Sequence, residues 1–342
     1  MQKFRHARAA LFIVAAVAMA IAAYTLGNSA GSTVQHGGVI LGVAGVQMNS
    51  SRMALVYSYD IRWLRVDMHQ GQQFQAYMAN LSAENYSVLG ILDYDTVGAS
   101  INANGCYANC TWTLADWNAS VEKAVSMYPW VHVWEVWNEP QIPKYQDGAL
   151  NASPYSYFLL LRAAYTTIKS VQPNSTVLCL GGDNIYEGGS GASVQDYQWA
   201  QQLWGYGASR YCDAVSLHAY SAFIYLLNQT PQGSSQTVSQ IFNQSMAQYE
   251  ALTGKPIWIT ETGIPSGVNQ SYAAGLYATP ARQADYLGQA LSSFLAKPYI
   301  KGVFWYNLYS TGAPYSIDFG LFYPNMTPKP SWYAFRGFLG AA

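Results

Sequence analysis

The sequence predicts an α/β protein built as a single (β/α)8 TIM barrel. Eight short apolar runs alternate with helical stretches over about 300 residues, which is the pattern of a closed parallel barrel. The segments that follow the runs are long and rich in Gly, Ser, Pro and Tyr, as expected where loops at the C-terminal ends of strands build a cleft. A doubly wound open sheet is the competing arrangement, but no Gly-rich phosphate loop follows the first run.

Apolar runs rich in β-branched and aromatic residues mark the predicted strands. In chain order these are Val39–Ala44, Ile61–Val66, Ser87–Leu92, Val131–Trp137, Val177–Leu180, Ala214–His218, Ile257–Thr260 and Gly302–Tyr306. Apolar residues at helical spacing predict helices at Leu114–Met127, Tyr157–Val171 and Ala281–Ala296, and Thr279-Pro280 is a helix-start signal for the last of them. No boundary signal follows residue 38, so residues 39–342 are expected to form one domain.

The N-terminal residues 1–30 are predicted to be a signal peptide or an N-terminal membrane anchor, followed by a linker at residues 31–38. A basic start precedes residues 9–26, a run of 18 residues without a charge. That run fits a long secretory signal, and it is barely long enough to cross a bilayer. Both alternatives remain open, and possible membrane anchoring through residues 9–26 is one of them. Either one predicts export, with the protein extracellular or at the cell surface.

Composition and sequence motifs agree with export. Net charge is −1, so no nucleic-acid partner is expected. Only 10% of the residues are charged and 15% are aromatic, which suits a neutral surface and a cleft for sugars. Of the 17 Asn residues, 11 lie in Asn-x-Ser/Thr sequons, an excess that predicts a glycoprotein. They are Asn49, Asn80, Asn85, Asn109, Asn118, Asn151, Asn174, Asn228, Asn243, Asn269 and Asn325.

Four cysteines also suit an oxidising compartment. Cys106 and Cys110 could close a small ring, which would leave Cys179 and Cys212 to pair across one βα unit. A four-cysteine metal site is the alternative, but neither pair has C-x₂-C spacing. No metal and no cofactor are therefore expected.

Two glutamates mark the ends of predicted strands. Glu139 follows Trp137 and Asn138 at the end of the fourth strand, and Glu261 ends the seventh. Because both strand ends lie at the same face of a barrel, the two carboxylates can meet there. Such a pair is what cleavage of a glycosidic bond requires.

This ordered pair resembles clan A of the glycoside hydrolases, with features of the family 5 and family 39 types, over residues 39–342. The resemblance implies a retaining enzyme in which Glu139 is the acid/base and Glu261 is the nucleophile. It also implies that Asn138 binds the sugar 2-hydroxyl group and that Trp137 belongs to the same substrate-binding segment.

Other strand ends fit the same clan. Arg65 would keep Glu261 ionised, Tyr220 would hydrogen-bond the nucleophile, and His218 would line the site. Trp305 would form the floor beneath the sugar at subsite −1. Simpler interpretations remain for three of these residues: Arg65 could pair with Asp67, and His218 and Trp305 could be core residues.

The third strand departs from the pattern, because several families of the clan carry a His where this chain has Asp93. Asp93 could bind a sugar hydroxyl, or it could cap a loop. The identity of the sugar at this side of the site is therefore left open.

The expected function is that of a secreted retaining glycosidase with an oligo- or polysaccharide substrate, endo-acting on a β-glucan, mannan or xylan. The long loops offer aromatic rings that could stack successive sugars. These are Tyr94, Tyr107, Trp112, Tyr186, Tyr225, Tyr272 and Tyr277. The alternatives are an exo-β-glycosidase or a transglycosylase using the same site, and a non-catalytic glycan-binding protein of the cell surface. The oligomeric state is unknown from the sequence.

Overall fold

The computed structural model describes residues 38–45, 49–102, 105–142, 153–182, 192–220, 238–266, 278–310 and 318–339. They form a closed barrel of eight parallel strands with helices packed around it, so the predicted fold class is confirmed. Residues 1–37 lie outside the described ranges, and the predicted signal or anchor and the linker remain predictions. None of the helices in the described part of the chain has the length and apolar character needed to cross a membrane.

The barrel strands are numbered here in chain order, and each pairs in parallel with its sequence neighbours, while the first also pairs with the last. Their bounds are β1 Ile40–Ala44, β2 Trp63–Asp67, β3 Ser87–Leu92, β4 Val133–Val136, β5 Thr176–Gly182, β6 Ala214–Ala219, β7 Ile257–Thr262 and β8 Ile300–Tyr306. All eight predicted strands are present, with small shifts at their ends. An antiparallel hairpin of residues Ser100–Asn102 and Gly105–Ala108 is inserted after β3.

The helices alternate with the strands. They are α1 Ser50–Ser58, α2 Gln72–Ala83, α3 Tyr94–Val97, α4 Leu114–Met127, α5 Pro154–Val171, α6 Ala192–Gly205, α7 Val238–Thr253, α8 Pro280–Leu295 and α9 Pro330–Leu339, with a 3-10 turn at Ala208–Tyr211. Helix α4 begins at a capping box, in which Thr113 and Asp116 bind each other's backbone N–H groups. At α8 the hydroxyl of Thr279 accepts from the Arg282 N–H at 3.2 Å, ahead of Pro280.

Alternation along each strand divides the buried side chains between two cores. A smaller cluster fills the barrel interior, and it includes Leu89, Leu178 and Trp258. The larger cluster lies between the strands and the helices. On β8, Phe304 belongs to the inner cluster and Trp305 to the outer one, because adjacent residues of a strand point to opposite faces.

Both predicted disulfides are confirmed. Cys106 lies in the second strand of the inserted hairpin and is joined to Cys110, just after that strand, with their Cα atoms 5.9 Å apart. Cys179 on β5 is joined to Cys212, just before β6, with a Cα separation of 5.7 Å. The second bridge ties together two neighbouring barrel strands.

Candidate active site

Glu139 is brought over the barrel mouth by a sharp turn after β4. The backbone of Trp137 has φ of 70° and that of Glu139 has φ of 47°, in the left-handed region that side chains rarely adopt. The Glu139 N–H donates to the Gly181 carbonyl at 2.6 Å. A Cβ at Gly181 would lie 2.6 Å from the Trp137 carbonyl oxygen, so glycine is required for this close approach.

Glu261 lies near the end of β7, where the strand register shifts against both β6 and β8. Such irregularities re-aim side chains next to active sites. The Tyr220 hydroxyl donates to Glu261 Oε2 at 2.7 Å, and Arg65 Nη1 donates to Glu261 Oε1. The carboxylate is therefore held from two sides and retains 13% side-chain exposure toward the cleft.

Arg65 is the buried cation around which the site is arranged, with a side-chain exposure of 2%. Its Nε donates to Glu135 Oε2 at 2.6 Å, and its Nη2 donates to Asn138 Oδ1 at 3.1 Å. With the bond to Glu261, the guanidinium thus contacts two carboxylates and one amide. The sequence left open an ion pair with Asp67, but the salt bridges of Arg65 go to Glu135 and Glu261.

Glu135 is a site residue that sequence reasoning missed. It is fully buried in β4, and its second oxygen accepts from the Thr260 hydroxyl at 2.8 Å. The available signal was an acidic residue inside the run Val131–Trp137, which apart from His132 is otherwise apolar, two positions after the inward-facing Val133. A charge at a buried position requires a partner of opposite sign, and Arg65 is that partner.

His218 connects Glu139 with Arg65. Its Nδ1 lies 2.9 Å from Glu139 Oε1, and its Nε2 lies 3.2 Å from Arg65 Nη2. Because a guanidinium only donates, this second contact requires an unprotonated Nε2, and the ring hydrogen then lies on Nδ1, pointing at Glu139. Burial alone would lower the pKa of His218, but the charge of Glu261 and the bond to Glu139 raise it above its ordinary value.

The surroundings of Glu261 favour its ionised form. Burial would raise the pKa of this carboxyl group, but the electrostatic interactions with His218 and Arg65 and the bonds from Tyr220 and Arg65 outweigh burial and lower it. Burial and the negative charge of Glu261 raise the pKa of Tyr220 well above its ordinary value, so its hydroxyl stays protonated and can donate.

The two candidate catalytic carboxylates face each other. One oxygen of Glu139 and one of Glu261 lie within 4.8 Å of each other and of a ring nitrogen of His218. Glu261 is bound by a cation and a hydroxyl donor, whereas Glu139 is bound by an imidazole. The two glutamates therefore lie at short range with different hydrogen-bond partners.

Trp305 and Trp137, two aromatic residues that the sequence assigned to the site, are fully buried in the structure. Trp305 is fully buried, its ring packs against Tyr286 of α8, and its Nε1 donates to the Phe319 carbonyl at 3.1 Å. Its side chain therefore belongs to the packing between β8 and α8. Tyr306, the next residue, packs at the inner cluster and interacts electrostatically with Glu261 and Glu139, so it is the aromatic side chain of β8 that faces the carboxylates.

Trp137 is also fully buried, and its ring packs against those of Tyr94, Trp112 and Trp117. It supports the turn that carries Asn138 and Glu139. Of the predicted loop aromatics, Tyr94 is half-buried and Trp112 is buried. The side chains of Tyr107, Tyr186, Tyr225, Tyr272 and Tyr277 lie outside the described residues.

Asp93 caps the short helix α3. Its Oδ1 accepts from the Asp95 N–H at 3.0 Å, and its own N–H donates to the Thr96 hydroxyl at 3.0 Å. The side chain is fully buried beside Asp67 and Asp95. Burial, followed by the charges of these two neighbours, raises the pKa of Asp93 well above its ordinary value.

A family model described as a glycosyl hydrolase catalytic core matches residues 91–333, which is more than half of the chain. No curated protein sequence matches the chain significantly.

Three solved structures share the barrel fold. A family 39 glycoside hydrolase from Xanthomonas axonopodis pv. citri aligns with a TM-score of 0.61 and 18% identity, over 92% of this chain and 68% of that one. Xylanase 10B from Thermotoga maritima aligns with a TM-score of 0.58 and 15% identity, over 90% and 97%. A family 128 endo-β-1,3-glucanase from Amycolatopsis mediterranei, solved with laminarihexaose, aligns with a TM-score of 0.55 and 16% identity, over 88% and 99%. With the family match and the closed barrel, the chain belongs to the glycosyl hydrolase catalytic core family and is a glycoside hydrolase.

Proposed function

We propose that the chain is a retaining β-glycosidase that acts by double displacement, with Glu261 as nucleophile and Glu139 as acid/base. The proposal rests on two neighbouring carboxylates with different hydrogen-bond partners, Glu139 and Glu261. One oxygen of each lies within 4.8 Å of the other. Retaining enzymes separate their carboxyl groups by about 5–5.5 Å, whereas inverting enzymes leave about 6.5–9.5 Å for a water molecule.

The partners of each carboxylate suit these roles. Glu261 attacks the anomeric carbon, while protonated Glu139 gives its proton to the departing glycosidic oxygen. The glycosyl ester removes the negative charge of Glu261, and Glu139 then takes a proton from the water that hydrolyses the ester. Because Asn138 Oδ1 is bound by Arg65, the Nδ2 group of Asn138 is the donor for the sugar 2-hydroxyl group.

The proposed substrate is a neutral β-linked polysaccharide attacked internally, such as a β-glucan, mannan or xylan. Two structural neighbours are named as an endo-β-1,3-glucanase and a xylanase, which supports this substrate class. Low charge favours neutral sugars, and Tyr306 offers a ring beneath the reacting sugar.

Export to the extracellular space or cell surface is part of the proposal. None of the eight sequon asparagines in the described ranges is buried, as attachment of a glycan requires. They are Asn49, Asn80, Asn85, Asn109, Asn118, Asn174, Asn243 and Asn325. Mass spectrometry of the protein from its native source tests this. Export would be contradicted by a cytosolic chain that carries no glycans and whose basic and apolar N-terminus is neither cleaved nor bound to a membrane.

Stereochemistry at the anomeric carbon tests the mechanism. Proton NMR of the first product released from a β-glycoside should show the β-anomer before mutarotation. Glu261→Ala should abolish turnover, whereas Glu139→Ala should retain activity on aryl glycosides with good leaving groups, because protonation of the leaving oxygen then matters less. Glu122→Ala, at an exposed position of α4, is the matched control and should leave turnover unchanged. First release of the α-anomer would refute double displacement.

The early product profile tests the endo assignment. Internal cleavage lowers the viscosity of a soluble β-glucan early and releases a ladder of oligosaccharides. Release of monosaccharide alone, without a fall in viscosity, would establish exo action and leave the roles of Glu139 and Glu261 unaffected.

A further inference from the structure

A second group of carboxylates lies beside the catalytic pair. Asp67 ends β2, Asp93 follows β3, and Asp95 belongs to α3. Strands β2 and β3 are parallel neighbours, with Asp67 opposite Ile91, so their C-terminal ends converge. One oxygen of each aspartate lies within 4.8 Å of an oxygen of the other two.

The buried member of this group lacks a partner for one oxygen. Asp93 has no solvent exposure, and its Oδ2 has no hydrogen-bond partner among the described residues. Leaving such an oxygen unsatisfied in the interior is costly, so it requires an explanation.

The neighbouring cations do not supply the missing partner. His69 Nδ1 lies 3.4 Å from Asp95 Oδ1, so its contact is with Asp95. The hydrogen bonds of Arg65 go to Glu135, Glu261, Asn138 and His218. The aspartate group therefore has more acceptors than donors around it.

We propose that Asp67, Asp93 and Asp95 bind a calcium ion. Calcium takes six to eight oxygen ligands in flexible geometry and accepts several carboxylates. Magnesium demands near-octahedral geometry, keeps several water molecules and is usually bound by one or two carboxylates. Three aspartates, each with an oxygen within 4.8 Å of the other two, therefore favour calcium, and the bare Asp93 Oδ2 offers it a buried acceptor.

The sequence did not indicate this site. Only Asp93 and Asp95 are close in sequence, and Asp67 joins them through the pairing of β2 with β3. A bound calcium ion would fix the ends of both strands to α3, and thus one wall of the cleft beside Arg65. The ion would stabilise this wall of the cleft and take no part in bond cleavage.

Calorimetry on the full-length protein tests the proposal without any substrate, so its outcome is independent of the proposed glycosidase activity. After treatment with EDTA and dialysis, titration with calcium chloride should show one saturable site per chain. The unfolding temperature should rise by about 5 °C at calcium concentrations near 100 times Kd. Magnesium chloride should bind at least tenfold more weakly. Absence of saturable calcium binding, or equal affinity for magnesium, would overturn the proposal.

Variants locate the ion. Asp93→Asn and Asp67→Asn should each weaken calcium binding by at least tenfold, and circular dichroism checks that each is folded. If the substitution at the buried Asp93 prevents folding, Asp95→Asn at a half-buried position replaces it in the calcium-binding measurement. Asp285→Asn is the matched control, because Asp285 is exposed on α8 and accepts only from Gln289 in the described structure. Calcium affinity unchanged in the folded aspartate variants would refute this site.

Discussion

At the scale of single residues, the candidate site depends on one buried cation shared between two acids. Arg65 binds Glu135 inside the barrel and Glu261 at its mouth. Removing either partner from a buried ion pair leaves an uncompensated charge. The same contacts that place Glu261 in the cleft therefore also stabilise the fold. Their effects on activity and on the free energy of unfolding need separate measurements.

Tyr220→Phe should change the pH dependence of activity. Tyr220 donates to Glu261, and this bond helps to lower the pKa of Glu261. Without it the pKa rises, and since the attacking form is ionised, the acid limb of the kcat/KM profile should move to higher pH. We expect kcat at the optimum to fall about tenfold, since a hydrogen bond to a charged group contributes about 1.5–3 kcal/mol.

Tyr306→Phe is the matched control for that profile. Tyr306 faces the same carboxylates, but its hydroxyl is neutral at acidic pH, and burial together with Glu261 raises its pKa to about 12. Its substitution should leave the acid limb in place. An acid limb that stays fixed in Tyr220→Phe, or moves equally in both variants, would contradict the role assigned to Tyr220.

Glu135→Ala should lower the free energy of unfolding by about 3–5 kcal/mol, the usual cost of removing one partner of a buried pair. Chemical denaturation measures this difference. Glu122→Ala, at an exposed position on α4, should change it by no more than about 0.5 kcal/mol. A small effect at both positions would mean that Glu135 does not balance the charge of Arg65.

At the scale of secondary-structure elements, the apolar runs of the sequence predicted which segments form the barrel strands. Barrel strands buried on both faces are short apolar runs bounded by polar loops, so all eight could be found. The same two-sided burial hides which face of a strand points inward. For this reason Trp305 could not be distinguished from Tyr306, and Glu135 was overlooked between two apolar neighbours.

The two disulfides should contribute unequally to stability. Cys179 and Cys212 are 33 residues apart, whereas Cys106 and Cys110 are 4 apart. Loop-closure entropy predicts a loss of about 4 kcal/mol when the long bridge is removed and about 2 kcal/mol for the short one. Paired Cys→Ala variants, compared by chemical denaturation with the wild type, measure both. Equal losses, or a larger loss for the hairpin bridge, would contradict the loop-length argument.

At the scale of the whole molecule, the barrel brings together residues that are far apart in sequence. Arg65, His218 and Glu261 come from three strands and Glu139 from the turn after a fourth, yet they form one hydrogen-bonded group. The family resemblance allowed these residues to be named from the sequence. The Asp67 to Asp95 group could not be, because neither its distances nor the missing partner of Asp93 leaves a trace in sequence spacing.

Charge over the whole molecule gives the last prediction, which concerns the choice of polysaccharide. The loops at 93–112, 183–195, 220–236 and 262–280 carry no Lys or Arg, and net charge is −1. The carboxylates Glu139 and Glu261 lie together at the barrel mouth, and these loops offer no cation to pair with an acidic polymer. A carboxymethylated β-glucan should therefore be cleaved at least tenfold more slowly than the unmodified polymer at low salt, because its charges find no cationic partner in the loops and approach the two glutamates.

Added salt separates this repulsion from steric exclusion of the carboxymethyl groups. The Debye length falls from about 10 Å at 0.1 M to about 3 Å at 1 M, so salt should raise kcat/KM for the charged polymer. The rate on the neutral polymer should change less than twofold, since no charge on the substrate needs screening. Reducing-end assays on both polymers across this range provide the measurement. If the neutral polymer is the one that responds to salt, or the charged one is preferred, electrostatic exclusion by the barrel mouth is refuted.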